Sequence, residues 1–239
     1  MMMIHRQRAN LLGAVATAAL VIAATQIADA NDQSALQIQG FDMSESFPVA
    51  VHDRSAEAAG SVVARHVATL SPGDEVWLRS FGLAGVMDQE INVSVTLGAR
   101  VQERPRRMAQ AIGQLVGTIP QRVRSGDLAI QNRTNIVGFL EAIGSSLNCM
   151  ERPTTLVLFT DGIEWSSQVR GDDLLAGTAD LPTPSGAILE GCHVEMRGLG
   201  QVVSDQNTDS RWFPLLRDKW SVFFAAAGVA TFNAYATFD

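Results

Sequence analysis

Lysine is nearly missing from this chain of 239 residues: Lys219 is the sole lysine among 18 basic side chains. Against them stand 25 acidic residues, giving a formal net charge of −7, and the basic residues form no stripe. A surface of that kind is not built for phosphate backbones or anionic membranes, so nucleic acid is not an expected partner. Cysteine is scarce as well, with only Cys149 and Cys192. The histidines (His5, His52, His66, His193) lack ligand spacing, and only His193 lies beside a cysteine, which argues against a zinc site. There is no G-x-S-x-G elbow for a serine hydrolase and no H-E-x-x-H for a metalloprotease. Apolar runs are short: those at 11 to 24 and 222 to 230 fall below the roughly 20 residues that span a bilayer. Internal repeats and low-complexity segments are absent.

The opening stretch is distinctive. Arg6 and Arg8 precede the first apolar run, and Ala28, Asp29 and Ala30 form an A-x-A exit, the layout of a secretory signal with cleavage expected after Ala30. No cysteine lies near that cut, so a lipid anchor is not expected, nor is stable membrane insertion after cleavage. Losing Arg6, Arg8 and Asp29 would shift the net charge to −8. Residues 31 to 239 are expected to fold as one domain, since 46% hydrophobic content supports one core of ordinary size. The expected location is periplasmic or secreted, with a bacterial envelope as the setting. In such an oxidising compartment one disulfide between Cys149 and Cys192 is the simple expectation; two buried thiols, or a pair too far apart to join, are the alternatives.

Extended apolar runs occur at about 35 to 41, 75 to 81, 91 to 97, 154 to 160 and 192 to 199. Helical periodicity occupies 55 to 70, 105 to 119, 135 to 147 and about 210 to 226, and "TFNAYATF" can close the sheet as an edge strand. This alternation predicts an α/β fold: a doubly wound, mostly parallel central sheet with helices on both faces. The gap between the second and third strands, "GLAGVMDQE", is too short for a helical crossover and predicts an antiparallel hairpin, hence one antiparallel edge strand. Residues 169 to 191, rich in Gly, Pro and Asp, read as a long loop carrying at most a short helix.

Candidate chemistry sits where strands end. "FDMSESFP" puts Asp42, Ser44 and Ser46 at alternate positions, which in an extended segment share a face. "LVLFTDG" ends another buried strand with Asp161, and "QNRTN" offers Thr134 just before a helix. In a parallel sheet the carboxyl ends of the strands share one edge, and ligands bind where the winding direction reverses. Hydroxyl and carboxylate oxygens suit hard cations such as magnesium, and two carboxylates just balance a dication.

The combination of "DMSES", "NRTN" and "TDG", in that order, resembles the von Willebrand factor A-like domain with its metal-ion-dependent adhesion site, over roughly residues 34 to 235. The resemblance implies a Rossmann-like fold of that family and a divalent cation, Mg2+ or Mn2+. Ser44, Ser46 and Thr134 would ligate it directly, with Asp42 and Asp161 close by, often through water. It also implies a protein partner that presents an Asp or Glu carboxylate, and a binding module rather than an enzyme. Two other readings compete. One is a metal-dependent phosphoryl-transfer hydrolase of the haloacid dehalogenase-like kind, with Asp42 as nucleophile and "GDD" at 171 to 173 supporting a metal. That kind needs an acid where Ser44 stands and a well-placed lysine, which Lys219 does not supply. The other is a scaffold with a vestigial site. The RGD at Arg170 to Asp172 is a cheap tripeptide match, and a glycan on the sequon Asn132 would crowd Thr134.

Overall fold

In the computed structural model, residues 33–82, 90–203 and 209–238 are described, and Ser34 begins a compact unit that runs to the end of the chain. The expected signal segment, residues 1 to 30, lies outside the described residues, as does most of the "GLAGVMDQE" connection. Six strands form one sheet: β1 (Leu36–Asp42), β2 (Glu75–Phe81), β3 (Asn92–Thr96), β4 (Thr154–Phe159), β5 (His193–Arg197) and β6 (Thr231–Tyr235). Their order is β3-β2-β1-β4-β5-β6, with every neighbouring pair parallel except β2 and β3. The winding therefore runs outward from β1 in one direction and from β4 in the other, placing the switch point between these two adjacent strands.

Helices cover both faces. On one side lie α1 (Pro48–Val51), α2 (Asp53–Ala68), α3 (Pro105–Gly117) and α4 (Ile119–Ser125); on the other lie α5 (Ile136–Gly144), α6 (Gly171–Leu175) and α7 (Trp212–Ala226). The strand residues divide accordingly. Ile38, Leu156, Leu158, Val194 and Met196 pack against α5 and α7, while Phe41, Val76, Leu78, Val157 and Phe159 pack against α2 and α3. All seven residues of β1 are buried, as expected for a central strand sandwiched between two helical layers. Each fully buried Phe or Leu in these layers stabilises the fold by roughly 1.5–3 kcal/mol.

The structure adjusts several expected boundaries. The helix expected over 105 to 119 ends at Gly117, and a separate α4 follows, with Pro120 in its first turn and Gly126 (φ 80°) closing it in the left-handed region. Proline lacks an N–H but fits a first helical turn, so it starts the second helix there instead of prolonging the first. The long loop from 169 to 191 carries one short helix, α6, and the RGD tripeptide forms its start. β1 stops at Asp42, whose Oδ1 accepts the Ser44 N–H at 2.8 Å, so a side chain replaces the sheet partner and turns the chain. Cys149 and Cys192 are joined by a disulfide, Cα to Cα 5.0 Å. Among the described residues no helix is long and apolar enough to cross a membrane.

Candidate metal centre

The loops that leave the sheet at the carboxyl ends of β1 and β4 converge with the segment that joins α4 to α5. The turn after β1 carries Asp42, Ser44 and Ser46; the segment before α5 carries Thr134; the turn after β4 carries Asp161. Backbone bonds lock them together. Gln131 N–H donates to Met43 O and Glu45 N–H to Gln131 O, each at 2.8 Å, while Trp165 N–H donates to Thr134 O at 2.7 Å. Val203 N–H reaches Ser46 O at 2.7 Å, and Gly200 N–H reaches Asp161 O at 2.8 Å. Gly162, at φ 76°, makes the turn that a side chain would obstruct, since a Cβ there would meet Leu199 Cδ1. Trp220 Nε1 donates to Gly162 O at 2.9 Å, fastening that turn to α7.

All five residues read from the sequence are brought into one hydrogen-bonded chain. Thr134 Oγ1 donates to Asp42 Oδ1 at 2.8 Å, Ser46 Oγ donates to Asp161 Oδ2 at 2.8 Å, and Ser44 Oγ and Ser46 Oγ lie 3.0 Å apart. Asp161 Oδ1 accepts Ile163 N–H at 2.9 Å. Two residues join that sequence reading had not singled out. Thr160 Oγ1 donates to Asp42 Oδ2 at 2.7 Å, and Glu164 Oε2 accepts the first N–H groups of α5, Ile136 at 2.7 Å and Val137 at 3.1 Å. Asn135 completes the cap by accepting from Gly138 N–H. The only sequence signal for Glu164 is an acid inside the apolar run "GIEW".

The electrostatics of the cluster are unbalanced. Asp42 and Asp161 are almost wholly buried, and no basic side chain moves either pKa. Burial pushes the Asp42 carboxyl up against the pull of its hydrogen bonds. Burial and then the charge of Asp42 push Asp161 up to about 8, and burial pushes Glu164 up to about 7. Two ionised carboxylates cannot share so dry a place without a positive charge between or beside them. A proton on one of them meets the deficit, and so does a cation held by the loops. Among the described residues no three of His, Cys, Asp and Glu gather as a metal cluster. The cluster owes its other oxygens to hydroxyls.

Ser46 and Thr134, alone of the five, line a cavity of about 690 Å3, together with Glu45, Arg133, Trp165 and Trp212 among others. Asp42, the nucleophile of the hydrolase reading, is fully buried and has both oxygens engaged. Of its supporting acids, Asp172 lines the cavity and Asp173 is exposed, while Lys219 is taken by Ala179 O and Asp180.

The strand order, the antiparallel edge and the two helical layers define a doubly wound, Rossmann-like α/β fold. No protein-family model matches the chain, and no curated protein matches it. Among solved structures, similarity extends to an aerotolerance-related membrane protein from Bacteroides fragilis, at 14% identity over 86% of this chain and 92% of that one, with a TM-score of 0.45. It also extends to the pilus adhesin SpaC from Lactobacillus rhamnosus GG, at 15% identity, 84% of this chain and TM-score 0.45. A third is the manganese-loaded TRAP protein of Plasmodium vivax, at 13% identity, 78% of this chain and TM-score 0.39. The chain spans 28% of the SpaC chain and 63% of the TRAP chain.

Proposed function

We propose that this protein is an exported, metal-dependent protein-binding module, working in a bacterial periplasm or outside the cell in adhesion or in assembly of an envelope complex. The observation that carries the reading is the meeting of two buried, uncompensated carboxylates with three hydroxyls at the switch point, beside a cavity that Ser46 and Thr134 line. That donor set fits a hard divalent cation, Mg2+ or Mn2+. Ser44, Ser46 and Thr134 would hold it through their hydroxyls, and Asp42 and Asp161 would balance its charge. The bound ion supplies an electrophilic position for one carboxylate oxygen of a partner. The chain's own groups do the rest: Thr160 and Thr134 orient Asp42, Ile163 N–H and Ser46 orient Asp161, and Gly162 lets the loop pass close to the sheet. The disulfide fits an oxidising compartment.

The test is a melting experiment with and without metal, on wild type, Asp42→Ala and Thr134→Ala. Magnesium at about 100 times its Kd stabilises a single-site protein by roughly 2.7 kcal/mol, which at this size raises Tm by about 5–10 °C. The rise is expected in wild type and absent in both variants, with capture of envelope proteins following the same pattern and ending on chelation. Capture by wild type that survives chelation, or magnesium without effect on Tm, would overturn the reading.

A further inference from the structure

Arg133, beside Thr134 on the cavity rim, has no part in holding a metal. Its guanidinium lies over the Trp165 ring, 4.8 Å from the centroid, and Trp165 is fixed in turn by its N–H bond to Thr134 O. Arg133 is exposed, and among the described residues no carboxylate forms an ion pair with it. Arg170 and Arg211, by contrast, are paired, with Asp172 at 3.8 Å and with Asp209 at 2.6 Å. A guanidinium stacked on an indole is held in orientation while its N–H edges stay available for a forked contact with a carboxylate. The other charged residues lining this cavity, Glu45 and Asp172, are acidic, which leaves Arg133 as the cation of the lining for a carboxylate to meet.

We propose that Arg133 on Trp165 is a second anchor, and that the partner is a protein segment carrying two carboxylates, one for the metal centre and one for Arg133. This rests on the metal-dependent reading above. Arg133 and Thr134 line the same cavity, so one segment seated in it can reach both anchors. Alternate side chains of an extended segment project on one face about 6.5–7 Å apart, so an acid-any-acid pattern suits them.

The test selects peptides from a random displayed library on the wild-type chain in magnesium, then measures synthetic versions by fluorescence anisotropy. The expected winners carry two acids at alternate positions. Converting one of the two acids to its amide weakens binding about tenfold, a loss of about 1.4 kcal/mol. Arg133→Gln costs the same on the two-acid peptide and nothing further on that amide version, while chelation abolishes binding throughout. Winners with a single acid, bound in a metal-dependent way and indifferent to Arg133→Gln, overturn the two-anchor inference and leave the metal reading standing. Binding that ignores the chelator, or a selection that enriches no acidic peptide, overturns both. Arg133→Lys separates charge from shape: it keeps the cation but loses the fork, and should fall between wild type and Arg133→Gln.

Discussion

Asp42 and Asp161 are held by neutral donors alone, and this decides how single substitutions and pH should act on the centre. Asp161→Asn keeps an acceptor for Ile163 N–H and turns an amide toward Ser46 Oγ, which can accept it. Metal-free stability should therefore change by no more than about 1 kcal/mol, while the magnesium-induced rise in Tm disappears; denaturant unfolding with and without metal checks both. The pH dependence has a definite sign. With its carboxyl pushed up to about 8, metal-free folded Asp161 keeps its proton where the unfolded chain, near 3.9, has lost it. Its contribution is complete below about pH 4 and is lost as pH rises through 8, and Glu164, pushed up to about 7, acts in the same direction. The Tm of chelated protein should fall between pH 5 and 8, and the rise given by magnesium should grow over the same window, because the ion needs the proton gone. A flat profile would contradict the buried, unpaired carboxylates.

Elements supply the placement. β1 and β4 are adjacent and parallel, so Asp42 and Asp161 leave the sheet side by side although 119 positions separate them in the chain. The segment entering α5 sets Thr134 against Asp42, and Glu164 ties the start of α5 to the Asp161 turn. Glu164→Ala removes the acceptor of two buried N–H groups and should cost about 1–3 kcal/mol. Glu164→Gln, which retains one acceptor oxygen, should restore most of it; urea unfolding and amide exchange at Ile136 and Val137 read the difference. Much of this was legible in advance. Asp42, Ser44 and Ser46 are close in sequence, and Asp161 follows a run of buried strand residues, so each could be placed at a strand end. Thr160 was read only as strand, because a threonine donating to Asp42 looks in sequence like any β-branched residue before a turn. Glu164 depends on a contact 27 and 28 positions away, which no local pattern encodes. α1 and α4 escaped because four and seven residues opening on or near proline are too short for helical periodicity to register.

At the scale of the whole molecule, the two ends of the sheet have different duties. The carboxyl edge carries the loops and the cavity, while Cys149 and Cys192 join just ahead of β4 and β5, at the amino edge. On the chain-entropy model a closed loop of this length contributes about 4 kcal/mol. The double variant Cys149→Ser, Cys192→Ser should thus lower unfolding stability by about 2–4 kcal/mol, yet leave the affinity for magnesium under the proposed function within about a factor of two, since the bridge lies at the opposite edge of the sheet from Asp42 and Asp161; chemical denaturation and calorimetric titration measure the two separately. The same bridge has a mechanical meaning. It makes β4, the Asp161 turn, α6 and the long crossover one covalent ring that closes at the foot of β5. A pull on the Asp161 turn would enter that ring, and the cross-link caps how much slack it can release. The sheet would have to give way as a unit before this segment could be reeled out.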